Sequence, residues 1–230
     1  LNSILGFSSL LASDQRMDRL QQENIEHISN AGKYLLRLIN DILDLAQIEA
    51  EKLSLSMEIL QPAFCVEEAF SYCNENAKTN NIVLVFEENG LEDIFIDVDV
   101  VRLRQCLINL VNNAIKYNVH NGEVKVSFAI VANEFVIAVS DTGLGVAEDK
   151  QASLFEMFNR LGAERSSIQG SGLGLVLTEQ LMLAMGGKII YDADAAIGAC
   201  FKLYFPISKK LSVNIPAISG QHSVGLSSVQ

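Results

Sequence analysis

The sequence predicts an α+β fold in which an N-terminal helical hairpin precedes an α/β sandwich. Apolar residues repeat at alternating spacings of three and four through residues 18–53, as they do in long packed helices. From residue 54 onward, short strand-like runs mix with amphipathic helical patterns. After Pro206 the chain is rich in Ser and Gly, so we expect residues 208–230 to form a flexible tail or linker.

The composition is that of an acidic globular protein. With 230 residues, 49% of them hydrophobic, the chain is long enough for one large or two small domains. A formal net charge of −11 disfavours nucleic acid or an anionic membrane as the main partner. No apolar run approaches the ~18 residues of a membrane span, so we expect a cytoplasmic fragment without membrane contact, while the full-length protein could be anchored upstream. The four scattered cysteines are expected to be buried thiols.

The hairpin begins with a helix over residues 1–12. Five positions of this segment fall on one helical face: Leu1, Ile4, Leu5, Ser8 and Leu11. No capping residue precedes Leu1, which predicts that the segment is the end of a longer helix. Residues 12–17 are typical of a turn. Asp18 and Gln21 then form a predicted capping box for a second helix that runs to about Leu53.

The second helix carries a regular apolar seam. Its a- and d-like positions are Ile28, Ala31, Leu35, Leu38, Ile42 and Leu45, and a third position repeats at Ile25, Gly32, Ile39 and Ala46. A seam widened in this way favours a four-helix bundle, to which each chain of a homodimer would supply two helices. The alternative is that the hairpin packs on the globular domain of its own chain.

The rest of the chain alternates between strands and helices. Strands are predicted over 54–60, 82–86, 94–98, 123–131, 134–140, 188–195 and 199–205, with a hairpin turn at Ala132 and Asn133. Helices are predicted over 62–77, 99–117, 149–160 and 173–185, the last ended by Gly186 and Gly187. Residues 161–172 are small and polar, which is typical of a loop.

Three short motifs are candidates for chemistry. GSGLGL at residues 170–175 opens a helix, where glycines and unpaired N–H groups can bind an anion. DTGLG at residues 141–145 follows an apolar strand. Either stretch alone is more often an ordinary turn.

The third motif, NLVNNAIKY at residues 109–117, has two asparagines four residues apart. Asn109 and Asn113 share a helix face, so their neutral oxygens could hold Mg²⁺, or they could cap local backbone instead. Lys116 lies one turn beyond Asn113 and could meet phosphate oxygens, unless it is a solvated surface lysine.

In order and spacing, these motifs resemble the ATP-binding domain of sensor histidine kinases, in the GHKL ATPase superfamily. NLVNNAIKY resembles the N box, DTGLG the first glycine box, LFEMFNR the F box, GSGLGL the second glycine box and GACF a last, weaker glycine element. LINDILDLAQIEAEKL resembles the second helix of the dimerisation and histidine-phosphotransfer hairpin, and LNSILGFSSLL the first helix just after its H box. The resemblance implies a partial hairpin domain over 1–53 and an ATP-binding domain of GHKL type over 54–207.

The resemblance also implies a role for each motif residue around the base. Asp141 would accept a hydrogen bond from the adenine amino group, while Gly143 and Gly145 would turn beneath the base and hinge a lid over 161–172. Tyr117 would pack near the adenine.

Around the phosphates, the resemblance implies ATP and Mg²⁺ as cofactors. Asn113, with Asn109, would ligate Mg²⁺, and Lys116 would contact phosphate. Arg160 would stabilise charge on the γ-phosphoryl group. The phosphates would be lined by the second glycine box, that is by Gly170, Gly172, Leu173 and Gly174.

The activity implied is that of a protein histidine kinase. The γ-phosphoryl group would pass to a histidine upstream of Leu1 and then to an aspartate of a response-regulator receiver domain. His27, His120 and His222 are interpreted as surface histidines, so the acceptor is expected to be absent from this chain.

Two alternatives remain at this point. One is a catalytically silent, nucleotide-binding dimeric scaffold. The other is a GHKL ATPase that hydrolyses ATP, although such enzymes use a glutamate on the N-box helix, where this chain has Asn109.

Overall fold

The computed structural model describes residues 1–14, 17–159 and 171–207. Two helices form the hairpin, α1 (Asn2–Ala12) and α2 (Arg19–Glu49). The predicted capping box is confirmed: Asp18 Oδ1 accepts from the Gln21 backbone N–H at 2.8 Å, and Gln21 Oε1 accepts from the Asp18 N–H at 3.1 Å. The α2 helix ends at Glu49, four residues before the predicted end.

The hairpin buries only part of its apolar pattern within one chain. Gly32 lies against α1, where a Cβ would come within 2.8 Å of Leu5 Cδ2, so the two helices approach closely at this point. Ile28, Leu35 and Ile42 of the predicted seam are exposed. These three side chains are therefore free to pack against another surface.

The remaining elements build the α+β part of the fold. In chain order they are β1 (Met57–Leu60), α3 (Pro62–Thr79), β2 (Val83–Glu87), β3 (Ile96–Asp99), α4 (Val100–Lys116), β4 (Glu123–Val131), β5 (Glu134–Asp141), α5 (Glu148–Gln151), α6 (Gly174–Ala184), β6 (Lys188–Tyr191) and β7 (Cys200–Pro206). Five strands form one sheet in the order β2-β4-β5-β7-β6, in which only β2 and β4 are parallel. Separately, β1 and β3 form a two-stranded antiparallel sheet. Strands and helices thus confirm the predicted class.

The β4–β5 hairpin turns where the sequence predicts. Ala132 and Asn133 have φ angles of 49° and 67°, the left-handed pair that suits a two-residue hairpin turn. The register pairs Val131 with Glu134 and runs to Val124 with Asp141. This register delivers Asp141 to the end of the strand, beside the N-terminal end of β4.

The core fills the space between the five-stranded sheet and the helices α3, α4 and α6. Phe128 stacks edge to face against Phe86 and Phe135, at centroid distances of 5.0 and 4.9 Å. The four cysteines are free and buried, as predicted. Burial raises the pKa of the Cys106 thiol to about 12, so it stays protonated.

One predicted helix is wrong. The sequence predicts a helix over 149–160, but only Glu148–Gln151 forms one. The segment after it turns irregularly, and Phe158 has a φ angle of 60°, which a right-handed helix excludes. The Phe158 N–H instead donates to the Gly172 carbonyl at 3.1 Å. This hydrogen bond to a distant motif replaces the one that the Phe158 N–H would donate within a helix.

The hairpin packs on the sandwich through the second half of α2. Arg102, in the first turn of α4, donates to both Asp44 carboxylate oxygens at 3.1 Å, and Gln105 Nε2 donates to Asp44 Oδ2 at 3.0 Å. Leu45 of α2 is buried in the core of the sandwich. In the described part of the chain, no helix combines the length and apolarity needed to cross a membrane.

Candidate functional site

The first half of the candidate site centres on Asp141, the last residue of β5. Its Oδ1 accepts hydrogen bonds from the Gly143 N–H at 2.8 Å and the Ala199 N–H at 3.1 Å. Burial raises the pKa of this carboxyl group, whereas the two backbone hydrogen bonds lower it. Oδ2 accepts no hydrogen bond from any described residue. The residue is only 9% exposed, so its one open oxygen is positioned for a ligand donor.

Glycines allow three motifs to meet around Asp141. At Gly143, a Cβ would overlap the Tyr117 carbonyl oxygen at the end of the N box. Gly145 and Gly198 both have φ angles of 69°; a Cβ at Gly145 would come within 2.7 Å of the Gly198 carbonyl oxygen, and a Cβ at Gly198 would overlap the backbone of Asp141. The first glycine box, the end of the N box and the last glycine element therefore form one tight assembly.

The second half centres on Asn109 of α4, which is 8% exposed. Its Nδ2 donates to Thr178 Oγ1 at 3.0 Å, and the Thr178 hydroxyl donates to the Gly174 carbonyl at 2.9 Å. A Cβ at Gly174 would overlap Asn109 Oδ1. From the hairpin, Arg37 Nη2 approaches Asn109 Oδ1 at 3.5 Å. The N box and the second glycine box are thus in direct contact.

The donor set at this end fits a hard cation. Asn113 follows Asn109 by one helical turn, is partly exposed, and makes no side-chain hydrogen bond among the described residues. The absence of a side chain at Gly174 allows the backbone of the second glycine box to approach Asn109 Oδ1 closely. Among the described residues there is no group of three or more His, Cys, Asp or Glu that could hold a metal. Two neutral amide oxygens suit Mg²⁺, because phosphates and water can supply its remaining ligands.

Lys116 and Tyr117 lie at the exit of α4. Lys116 Nζ donates to Tyr117 Oη at 3.0 Å and lies 4.6 Å from the centroid of the same ring. Tyr117 is exposed. The Lys116 ammonium group therefore already contacts Tyr117, and it would have to break this contact to bind a phosphate.

The second glycine box is described from residue 171 onward. Gly172 has a φ angle of 71°, and a Cβ there would come within 2.7 Å of the Phe158 backbone, which brings the F box against this motif. Leu173 is 1% exposed, so its side chain belongs to the core, and its N–H donates to Ser171 Oγ at 3.2 Å. Among the residues that the structure describes, no side chain caps α6. Its first N–H groups are thus available to an anion.

Several predicted residues lie outside the described part of the chain. These are Arg160, Gly170, residues 161–169 of the predicted lid, His222 and the predicted tail. Of the other histidines, His27 and His120 are exposed, as expected.

Sequence reasoning missed the residues that surround Asn109 and Asp141. Gly198 could have been found from the sequence, because it is the first residue of the GACF stretch that resembles a glycine element. Thr178 and Arg37 could not, because each reaches Asn109 from another helix.

Two family profiles match the chain. Residues 1–51 match the His Kinase A (phospho-acceptor) domain, and residues 98–209 match the histidine kinase-, DNA gyrase B- and HSP90-like ATPase domain. The chain belongs to the histidine kinase family. The predicted resemblance to a histidine kinase core is confirmed.

Known relatives agree with this assignment. The chain is 36% identical over 211 residues to the circadian input-output histidine kinase CikA of Synechococcus elongatus, covering 90% of this chain and 28% of CikA. It is 31% identical to the autoinducer 2 sensor kinase/phosphatase LuxQ of Vibrio cholerae, covering 90% of this chain and 24% of LuxQ. The chain spans about a quarter of the length of these relatives.

Solved structures support the fold. The crystal structure of full-length ShkA in complex with AMPPNP matches with a TM-score of 0.72 and 28% identity, over 90% of this chain and 43% of ShkA. The histidine kinase AdeS of Acinetobacter baumannii matches with a TM-score of 0.64 over 90% of this chain and 94% of AdeS. At 22% identity, AdeS shows the shared fold alone.

Proposed function

We propose that this histidine kinase chain binds Mg-ATP and transfers the γ-phosphoryl group to a histidine that precedes Leu1. The group then passes to an aspartate of a response-regulator receiver domain, which places the chain in two-component signalling. The observation that carries the proposal is Asp141, a buried carboxylate with one oxygen fixed by two backbone amides and the other open. The AMPPNP in the ShkA structure supports an adenine nucleotide as the ligand.

Asp141 selects adenine because its carboxylate can accept, but not donate, a hydrogen bond. A carboxylate only accepts hydrogen bonds, and adenine presents an amino donor where guanine presents a carbonyl acceptor. A guanine carbonyl facing Asp141 would leave two acceptors opposed in a buried site, which is costly. The backbone amides of Gly143 and Ala199 fix the carboxylate before the ligand arrives.

The opposite end of the site is suited to the triphosphate. Asn109 and Asn113 would hold Mg²⁺, which when bound neutralises charge on the phosphate oxygens. The uncapped N-terminus of α6 offers N–H groups to the same phosphates. Lys116 would exchange its Tyr117 partner for a phosphate oxygen.

The transfer step needs a nucleophile from elsewhere. Cys200 is the thiol two residues beyond Gly198, but it is buried and burial raises its pKa, so it stays protonated. The match to a His Kinase A (phospho-acceptor) domain supports an imidazole nitrogen as the group that attacks the γ-phosphorus. The P–N bond forms as the P–O bond to ADP breaks, and ADP leaves with that electron pair. Positioning and charge neutralisation are what the protein must supply for this chemistry.

The hairpin domain, which we place at residues 1–53, would dimerise. The exposed side chains of Ile28, Leu35 and Ile42 repeat every seven residues along α2. Covering such a seam in a four-helix bundle removes apolar surface from water on both chains.

The test uses the protein with its preceding residues, incubated with Mg-ATP labelled at the γ-phosphate. We expect acid-labile, base-stable label, as phosphohistidine gives, and its loss in Asp141→Asn. The matched control is Asp97→Asn, since Asp97 is an exposed aspartate of the same domain. Acid-stable label, or full labelling of Asp141→Asn, would contradict the proposal.

A further inference from the structure

The side-chain amide of Asn109 has a fixed orientation. Thr178 is 1% exposed, and its single hydroxyl proton is donated to the Gly174 carbonyl at 2.9 Å. A guanidinium N–H can only donate, so the amide atom that Arg37 Nη2 approaches at 3.5 Å is the oxygen, and the amide nitrogen then faces the Thr178 hydroxyl at 3.0 Å. Oδ1 is therefore turned to the opposite side, towards Gly174 and the hairpin.

That oxygen already faces a cation. Arg37 Nη2 lies 3.5 Å from Asn109 Oδ1, at the long limit of a hydrogen bond. Arg37 belongs to α2, whereas every other side chain in this cluster belongs to the sandwich. A guanidinium and a divalent ion would both seek the same neutral oxygen, and their like charges disfavour occupying it together.

A second polar contact between the hairpin and the sandwich does not involve this oxygen. Asp44 is held by Arg102 and Gln105 at the other end of α4, away from the motif residues. The Arg37 contact is long enough to break without removing that anchor. It thus links the hairpin directly to a candidate metal ligand.

We propose that Thr178 is a positioning residue that presents Asn109 Oδ1 to Mg²⁺, and that Arg37 of the hairpin competes with the metal for this oxygen. The inference rests on the proposed role of Asn109 in holding Mg²⁺. By linkage, Mg²⁺ binding releases Arg37, and an engaged Arg37 weakens Mg²⁺ binding by the same factor. The nucleotide site and the hairpin then influence each other through one side-chain amide.

The test is calorimetric titration of the intact chain with ATP in saturating Mg²⁺ and in EDTA. The measured quantity is the gain, meaning the ratio of the two dissociation constants. Thr178→Val, which keeps the shape of the side chain and removes its hydroxyl, is expected to reduce the gain about tenfold, as the loss of a residue that orients a metal ligand does. Thr178→Ser keeps the hydroxyl and should restore the gain.

Arg37→Ala should change the gain in the opposite direction, increasing it about fivefold, the lower end of typical coupling between sites. Lys33→Ala is the charge-matched control, because Lys33 is exposed one turn earlier on the same helix. It should leave the gain unchanged. A second readout needs no ligand: in the NMR spectrum of the free protein, the Asn109 amide signals of Thr178→Val should broaden or double as the amide flips.

The outcomes separate this inference from the proposed function. No gain in the parent chain would overturn both, since Asn109 would then bind no metal. A normal gain in the parent, with equal losses in Mg²⁺ and EDTA for Thr178→Val, would overturn the inference alone. So would a smaller gain in Arg37→Ala, or the same increase in Lys33→Ala.

Discussion

The two ends of the proposed nucleotide site, the base end at Asp141 and the metal end at Asn109, are built in different ways. Asp141 and Asn109 are equally buried, at 9% and 8% exposure. Asp141 is held by the backbone amides of Gly143 and Ala199, both within the sandwich. Asn109 is held by two side chains on other helices, Thr178 and Arg37, of which the second belongs to the hairpin.

This difference separates what is fixed from what can be regulated. The Gly143 and Ala199 amides belong to turns of the sandwich itself, so we expect the proposed base end to be formed before any ligand binds. The metal end depends on how the hairpin lies against α4 and α6. We therefore expect substitutions at the base end to change ATP affinity both with and without Mg²⁺. Substitutions at the hairpin contact should change only the ATP affinity measured in Mg²⁺.

Gly198→Ala should have the largest effect on stability and nucleotide binding together. A Cβ at Gly198 would overlap the Asp141 backbone, and the φ angle of 69° disfavours any residue with a Cβ. We expect a loss of about 2–3 kcal/mol of stability and a loss of ATP binding with or without Mg²⁺. Gly90→Ala is the control, because Gly90 also has a positive φ angle but has open space around it. ATP binding that survives in Gly198→Ala would break the claim that the base end is rigid.

The residues of the proposed base end could be singled out in the sequence because they are contiguous in motifs. Asp141, Gly143 and Gly145 lie within five positions, and each has a local reason to be an aspartate or a glycine. Thr178 and Arg37 lie 69 and 72 residues from Asn109, so only the packing of three helices brings them together. The predicted helix over 149–160 failed for the same kind of reason, since the bond from Phe158 to Gly172 joins distant segments.

Asp44→Ala should have an intermediate effect, confined to the hairpin contact. It removes the hydrogen bonds that Arg102 and Gln105 donate to the Asp44 carboxylate. Because the Arg102 and Asp44 side chains are only partly buried, the loss of stability should be about 1–2 kcal/mol. ATP affinity in EDTA should not change, because the Asp141 end is untouched. Thermal unfolding and calorimetry measure the two quantities. A loss of Mg²⁺-free ATP binding would show that the base end also depends on the hairpin.

Asp41→Asn should have the smallest effect, with the opposite sign. Asp41 is buried on α2, and burial raises its pKa above the ordinary 3.8, although Arg37 opposes the shift and Asp44 adds to it. As the pH rises from 3.8 towards the raised value, the unfolded chain ionises first, so stability falls and the penalty persists at pH 7. Asp41→Asn should therefore raise Tm at pH 7, and the increase should vanish below pH 3.8.

The control for this pH dependence is Asp97→Asn, on the exposed face of β3. It should change Tm little at either pH. A lower Tm for Asp41→Asn at pH 7 would contradict this prediction, because it would show that attraction to Arg37 outweighs the cost of burying the Asp41 carboxylate.

The most direct test of the two-ended site compares Asp141→Asn with Asn109→Ala by ATP titration of the intact chain, in Mg²⁺ and in EDTA. We predict that Asp141→Asn loses about 100-fold in affinity under both conditions, because a charged hydrogen bond is lost and a buried donor is left unpaired. Asn109→Ala should lose affinity only in Mg²⁺. Equal losses for Asn109→Ala under both conditions, or unchanged binding by Asp141→Asn, would contradict the division of the site into a fixed base end and a metal end shared with the hairpin.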